Sequence, residues 1–385
     1  MPTIDLPLAD GGIESYLTGT PGDFPRPDAP FNRVAYAAVH VVADPLAEVD
    51  PWLGAALDWE ATLAYRRYLW DLGLGVAEAM DTAQRGMGLD WPSALELIKR
   101  SVAQAPPGAL LASGAGTDHL APAPGVTLDD VIAAYEQQCA AVEAAGGRII
   151  LMASRALAAA ARGPDDYAKV LGRILGQVRE PVLIHWLGEM FDSALAGYWG
   201  HDDIDRAMAV CLEVMAEHAT KIDGIKVSLL DDVKEIAMRR RLPEGVRMYT
   251  GDDFNFAALI AGDDQGSSDA LLGIFDAIAP AASAALAALA AGDRGRYDEI
   301  LAPTVPLSRH IFQAPTRFYK TGVVFMAYLN GHQDHFAMLG GQQSARSLLH
   351  LAELFRLADR AGLLADPDLA CVRMKRYFVL HGFGE

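Results

Sequence analysis

Cysteine is scarce in this chain: Cys139, Cys211 and Cys371 are the three it contains, far apart and without a CxxC pair. A disulfide framework or a zinc knuckle is therefore not expected, since both need clustered thiols. Positive charge is short as well, with 32 Lys plus Arg against 50 Asp plus Glu and a formal net charge of -18. No basic tract is long enough to neutralise a run of phosphates, so nucleic acid is not an expected partner. Long apolar runs are also missing. The longest, 278–291, is mostly Ala and carries Pro280 and Ser283, too short and too weakly hydrophobic to cross a bilayer. The opening Met1-Pro2-Thr3-Ile4-Asp5 shows neither a basic nor an apolar leader, which makes a cytoplasmic protein without membrane contact the expectation.

The composition itself is that of a globular chain, 51% hydrophobic and 21% charged over 385 residues, enough for one large domain or two smaller ones. Residues 1–33 are rich in Gly, Pro and Asp (Gly11-Gly12, Pro21-Gly22, Pro25-Arg26-Pro27) and read as an N-terminal arm without regular structure. Beyond them, short apolar runs alternate with segments of helical period. Strands are predicted at 34–42, 75–80, 110–114, 148–152, 181–186, 224–228, 247–249 and 270–274, and helices at 58–72, 91–105, 127–145, 164–178, 202–219 and 231–241. Several of these helices open on Asp or Thr, or with Pro in the first turn, as helix starts prefer. The alternation predicts an α/β fold, a (β/α)8 TIM barrel over 34–278. A doubly wound open sheet competes, but no G-x-G-x-x-G follows the first strand. From 279 to 385 the strands stop, and helices at 279–290, 295–312, 317–329, 344–361 and 369–380 predict a C-terminal helical region packed on the barrel.

In a parallel barrel, chemistry is carried by side chains at the C-terminal ends of strands. That position selects His40, Glu78, Asp81, Thr82, Ser154, Arg155, His185, Glu189, Lys226, Thr250, Asp252 and Asp253. Lys226, between Ile225 and Val227, is the most unusual: pointing inward, it must be desolvated, which lowers its pKa and makes the amine a nucleophile toward carbonyls. The plainer reading is an outward lysine snorkelling between helices. His185, after Val182-Leu183-Ile184, fits a proton shuttle or a satisfied core histidine. Asp252 and Asp253 fit helix caps as well as catalysis. His332, Asp334 and His335 have a spacing that suits metal ligands, yet they lie in the helical region and read as a polar loop.

Several segments together carry a family resemblance. Gly224-Ile225-Lys226, Tyr249-Thr250-Gly251-Asp252-Asp253, Ala290-Ala291-Gly292-Asp293 and Ala361-Gly362-Leu363-Leu364 resemble, in order and spacing over 34–365, the dihydrodipicolinate synthase / N-acetylneuraminate lyase superfamily of Schiff-base aldolases. The resemblance implies a TIM barrel, an imine at Lys226, no cofactor and a homo-oligomer. Three departures stand out. His185 occupies the place of that family's relay tyrosine, Met80-Asp81-Thr82-Ala83-Gln84 replaces its Gly-Thr-Thr-Gly-Glu carboxylate clamp, and Ser154-Arg155-Ala156 stands where a pair of tyrosines is expected.

An aspartate at the clamp would repel a carboxylate, so dihydrodipicolinate synthesis is not expected. The leading expectation is a lyase or aldolase of carbohydrate catabolism acting on a keto-sugar or another polyhydroxylated carbonyl compound. Lys226 and His185 would be catalytic, with Asp81, Thr82, Ser154, Arg155, Thr250 and Asp252 binding substrate. One alternative is a metal-dependent sugar isomerase or epimerase holding a divalent cation on Glu78, Asp81, His185 and Glu189. Another is a non-catalytic sugar-binding barrel.

Overall fold

An antiparallel hairpin, β1 (Thr3–Pro7) paired with β2 (Ile13–Leu17), occupies the segment that the sequence suggested was an irregular arm. The glycines read as breakers instead make its turn: Gly11 adopts φ 87°, and the Asp10 carboxylate accepts the Gly12 N–H at 2.9 Å. Alternate residues Ile4 and Leu6 of β1 are buried, as a half-covered strand requires.

The computed structural model describes residues 1–383, and all eight predicted barrel strands are present in it. They are β3 (Ala35–Ala38), β4 (Gly75–Glu78), β5 (Leu111–Ala115), β6 (Arg148–Leu151), β7 (Val182–Leu187), β8 (Ile222–Ser228), β9 (Arg247–Thr250) and β10 (Asp269–Leu272). All pair in parallel in the closed order β10-β3-β4-β5-β6-β7-β8-β9. Closure leaves no sheet edge unpaired. Inside, Ala38, Ala77, Ala112, Ile150, Leu183, Tyr249 and Leu271 fill the centre, small residues facing large ones.

The connecting helices start where their caps predict. Asp90 accepts from Ser93 N ahead of Trp91–Gln104, Thr127 and Asp130 form a reciprocal capping box before Leu128–Ala144, and Asp203 and Asp231 cap Ile204–Glu217 and Asp232–Arg239. Each buries one stripe. In Pro164–Gln177 it is Val170, Leu171, Ile174 and Leu175, each side chain contributing about 1.5–3 kcal/mol.

Two compact units divide the residues. One comprises 33–39 and 75–272, which contain the whole barrel sheet; the other comprises 1–32, 40–74 and 273–385. The sequence division at 33/34 and 278/279 differs from this by assigning 40–74, with helix Trp59–Asp71, to the barrel. In the second unit the helix predicted at 295–312 is two, Arg294–Leu301 and Thr304–Ile311, because Pro303 has no N–H to continue the first. There, too, the hairpin is tied to helix Leu348–Arg360: Arg356 Nε lies 2.8 Å from Glu14, and Tyr16 donates to Asp359 at 2.7 Å. No helix among the described residues is long and apolar enough to cross a membrane.

Candidate functional site

Strand β8 carries Lys226 with its Cα opposite His185 on β7 and Tyr249 on β9. Side chains alternate along a strand, so the inward positions follow from the core: Leu183 puts His185 on the inner face, and Tyr249 puts Gly251 there. Lys226 shares this face, because a β-carbon built on Gly251 would overlap Ser228 Oγ and lie 2.8 Å from Lys226 Cε. Gly251 is thus the space through which the lysine chain runs. Gly224 plays a similar part below, where a β-carbon would meet the Tyr249 ring at 2.6 Å.

Lys226 is 7% exposed, and its ammonium makes no hydrogen bond or ion pair. Burial pushes the amine below the ordinary lysine value, opposed by the charges of Asp253 and then Asp81. Beside it, His185 is pushed well below the usual imidazole value by burial and secondarily by Lys226, so the ring is neutral. Its Nε2 lies 3.3 Å from Ser228 Oγ, and its Nδ1 lies 3.9 Å from Asp81 Oδ2. Both Nδ1 and that carboxylate oxygen are buried without a hydrogen-bond partner.

Asp81 is aimed by a tight turn after β4. Ala79 sits at φ 53°, uncommon for a non-glycine residue, and its carbonyl accepts from Arg85 Nη1 at 3.1 Å. The 3-10 turn Asp81–Ala83 follows, closed by Ala83 N to Met80 O at 3.0 Å and Gln84 N to Asp81 O at 2.9 Å. Asp81 and His185 line a cleft with about 570 Å³ of empty space, counting its open mouth. Arg85, Thr117, Asp118, Arg155 and Asp192 share it. Arg85 is held by Asp118, and Arg155 by Asp192.

Of the residues the sequence proposed, Lys226, His185 and Asp81 come together, and Arg155 lines the same cleft. Thr82 is buried in the turn next to Asp81. Three others are engaged elsewhere. Thr250 lies on the outer face, where its hydroxyl donates to Glu235 at 2.9 Å. Asp252 accepts from Phe254 N, Asn255 N and Asn255 Nδ2 at 2.8, 3.0 and 2.8 Å, closing the turn before helix Phe256–Ala261 without capping that helix. Ser154 caps helix Arg155–Ala160 by accepting from Leu157 N, and bonds Thr117 at 2.6 Å. Substrate binding is therefore not the role their contacts support.

The four proposed metal ligands do not converge. Glu78 points outward from β4 to Ser101 and to its neighbour Ala79 N, and Glu189 is exposed. Among the described residues no three His, Cys, Asp or Glu side chains are grouped as metal ligands. His40 belongs to the other unit, where its Nδ1 meets buried Asp276 at 2.8 Å. His332 packs between Tyr65 and Tyr68 and is pushed down to about 4 by burial, Asp334 pairs with Arg373 at 3.0 Å, and His335 Nδ1 accepts from Ala337 N. These contacts make 332–335 the structural loop expected.

Sequence reasoning passed over Asp118, Asp192, Arg85 and Ser228, and chose Asp252 where Asp253 is the acid acting on Lys226. The alternation of β9 holds a signal for the last: with Tyr249 inward, Thr250 must face out.

Residues 4–383 match the model of a family described as "Protein of unknown function (DUF993)". No curated protein matches the chain. Solved structures share its fold. A prophage protein of the dihydrodipicolinic acid synthase family from E. coli K12, in complex with pyruvate, has a TM-score of 0.67 at 13% identity, with 86% of this chain and 99% of that one covered. Dihydrodipicolinate synthase from Aquifex aeolicus has a TM-score of 0.64 at 14% identity, with coverage of 86% and 99%. A putative dihydrodipicolinate synthetase from Pseudomonas aeruginosa has 0.63 at 15% identity, with the same coverage of 86% and 99%. The (β/α)8 barrel expected from the sequence resemblance is thus shared.

Proposed function

We propose that this chain, which belongs to the family described as "Protein of unknown function (DUF993)", is a Schiff-base-forming lyase whose reactive amine is Lys226. The observation that carries the reading is a buried lysine, without an ionic or hydrogen-bonded partner, at the C-terminal end of a barrel strand. A lysine placed only for stability would be paired or would reach solvent. Desolvation instead favours the neutral amine, the form that adds to a carbonyl carbon.

The steps follow from that amine. Lys226 Nζ forms a bond to the carbonyl carbon, the carbonyl oxygen leaves as water, and an iminium remains. The bond between the α- and β-carbons then breaks: the β-hydroxyl gives its proton to a base, the β-carbon departs as an aldehyde or ketone, and the electron pair of the broken bond moves toward the iminium nitrogen, leaving an enamine. Protonation of the enamine carbon and addition of water release the product and restore the amine. Neutral His185 beside Lys226 suits the proton movements: its unprotonated ring nitrogen accepts a proton, and with its pKa held below the usual imidazole value the ring gives that proton up readily.

The cleft supports an uncharged, polyhydroxylated carbonyl substrate such as a keto-sugar. Its two guanidiniums are each held by a carboxylate, and Asp81, Asp118, Asp192 and Thr117 offer acceptors for hydroxyls. A role in carbohydrate catabolism, inside the cell and as a homo-oligomer, belongs to the same proposal. Exposed Leu46, Trp52 and Leu53, at 90%, 80% and 84%, support association, which light scattering reads out.

Borohydride reduction in the presence of dihydroxyacetone or hydroxyacetone, followed by intact mass and peptide mapping, tests the amine. One adduct on Lys226, absent from Lys226→Ala, is expected. Adducts scattered equally over surface lysines in both proteins would overturn the reading.

A further inference from the structure

We infer that Asp81 and His185 form a receptor for a hydroxyl group of the substrate, so that the ketone taken by Lys226 is a hydroxy ketone. This rests on the imine reading above and deepens it. The two atoms concerned, Asp81 Oδ2 and His185 Nδ1, are buried, face the same cleft, have no hydrogen-bond partner and stand 3.9 Å apart. That separation is too long for a direct hydrogen bond, and it suits one oxygen bonded to both at an ordinary length of about 2.8 Å.

The chemistry of the two atoms selects what bridges them. An ionised carboxylate only accepts, so the bridging group must donate to Asp81. In the tautomer in which the Ser228 hydroxyl donates to Nε2, the neutral ring carries its proton on Nδ1 and donates, so the bridging group must also accept. A hydroxyl does both through a single oxygen. A carboxylate or carbonyl oxygen fails at Asp81, and a methyl group leaves two buried polar atoms unsatisfied.

Other carboxylates nearby show that this pair is an exception. Asp252 accepts three hydrogen bonds, Glu235 is bonded by Ser268 and Thr250, and Asp118 is gripped by Arg85 and Gln138. Asp81 is also held in place from behind by the Ala79–Arg85 turn, so its side chain does not reach its orientation by default. A bridging water is the plain alternative; a substrate hydroxyl displaces it while reproducing its bonds.

The test compares ketones differing by a hydroxyl: butanone against 4-hydroxy-2-butanone, with hydroxyacetone as the shorter probe, each trapped by borohydride on the full-length protein. Half-maximal trapping of the better hydroxy ketone should need about tenfold less ligand than butanone, and Asp81→Ala should bring that ratio to within about twofold. A ratio near one in the unmodified protein shows that the pair holds water only and overturns the receptor while leaving the imine standing. No trapping of any ketone at Lys226 overturns both. A persistent preference in Asp81→Ala overturns the assignment to this pair. A second measurement does not depend on the imine: in Lys226→Met with 15N-labelled histidine, hydroxyacetone should shift the His185 ring nitrogens and butanone should not. Equal shifts, or none, would sink the proposal.

Discussion

Two clusters of ionisable side chains lie on opposite faces of the barrel sheet. On the outer face, Glu235 is 1% exposed and both its oxygens are bonded, to Ser268 at 2.8 Å and to Thr250 at 2.9 Å. On the inner face, Lys226 has no partner, and His185 Nδ1 and Asp81 Oδ2 have none either. Glu235, Lys226 and His185 are all buried, and burial displaces the pKa of each. Satisfaction differs, and it separates a group that builds the fold from groups kept available for a ligand.

The sharpest way to break the comparison is to delete one charge from each face. Lys226→Met should abolish the trapped adduct and leave the melting temperature at or above that of the unmodified protein, because it removes a buried amine whose desolvation outweighs the attraction of Asp253 and Asp81. Glu235→Ala should cost about 2–3 kcal/mol in denaturant unfolding by orphaning two hydroxyls, without changing adduct formation. A clear loss of stability in Lys226→Met would erase the distinction.

A second prediction separates the faces by pH. Burial raises Glu235 to about 8 from an ordinary 4.5, so between these values the folded chain holds a proton that the unfolded chain releases. That contribution is present at low pH and is lost as pH rises through 8; Glu235→Gln should flatten the slope of stability between pH 5 and 8. His185 works in the other direction. Its folded value lies below the ordinary 6.5 through burial and the Lys226 charge, so its share of stability falls as pH drops below 6.5, and His185→Gln should remove it.

The smallest effects separate neighbouring aspartates. Asp252→Ala should cost about 1 kcal/mol through the lost turn hydrogen bonds. Asp253→Asn should instead move the pH profile of Lys226 trapping to lower pH, because the Asp253 charge raises the amine's pKa and its removal lowers it. A profile that moves with Asp252 and not with Asp253 would reverse the assignment.

Much of the barrel was legible because its signals are local: apolar runs with a period of two, caps before helices, and a lysine between Ile225 and Val227. Lys226, His185 and Asp81 were reachable from strand ends alone. Thr250, Asp252 and Ser154 were chosen on strand-end position, which does not say which face a side chain takes, and all three are held by bonds within the fold. Asp118 and Asp192 were missed for another reason. Their partners, Arg85 and Arg155, lie 33 and 37 residues away, at positions no periodic signal connects to them. The hairpin was missed because glycine marks a turn and a break with the same letter.

That hairpin also sets an order of events. Tyr16 and its acceptor Asp359 are separated by 343 positions, and Glu14 from Arg356 by 342. During synthesis, residues 1–17 leave the ribosome long before helix Leu348–Arg360 exists, a delay on the order of tens of seconds at ordinary elongation rates. Throughout that interval Ile4 and Leu6 lack the helix on which this hairpin is fastened, and β1 and β2 offer open strand edges to any passing chain. Residues 1–17 are therefore made long before the helix that secures them, and slowing translation between the two should expose them longer.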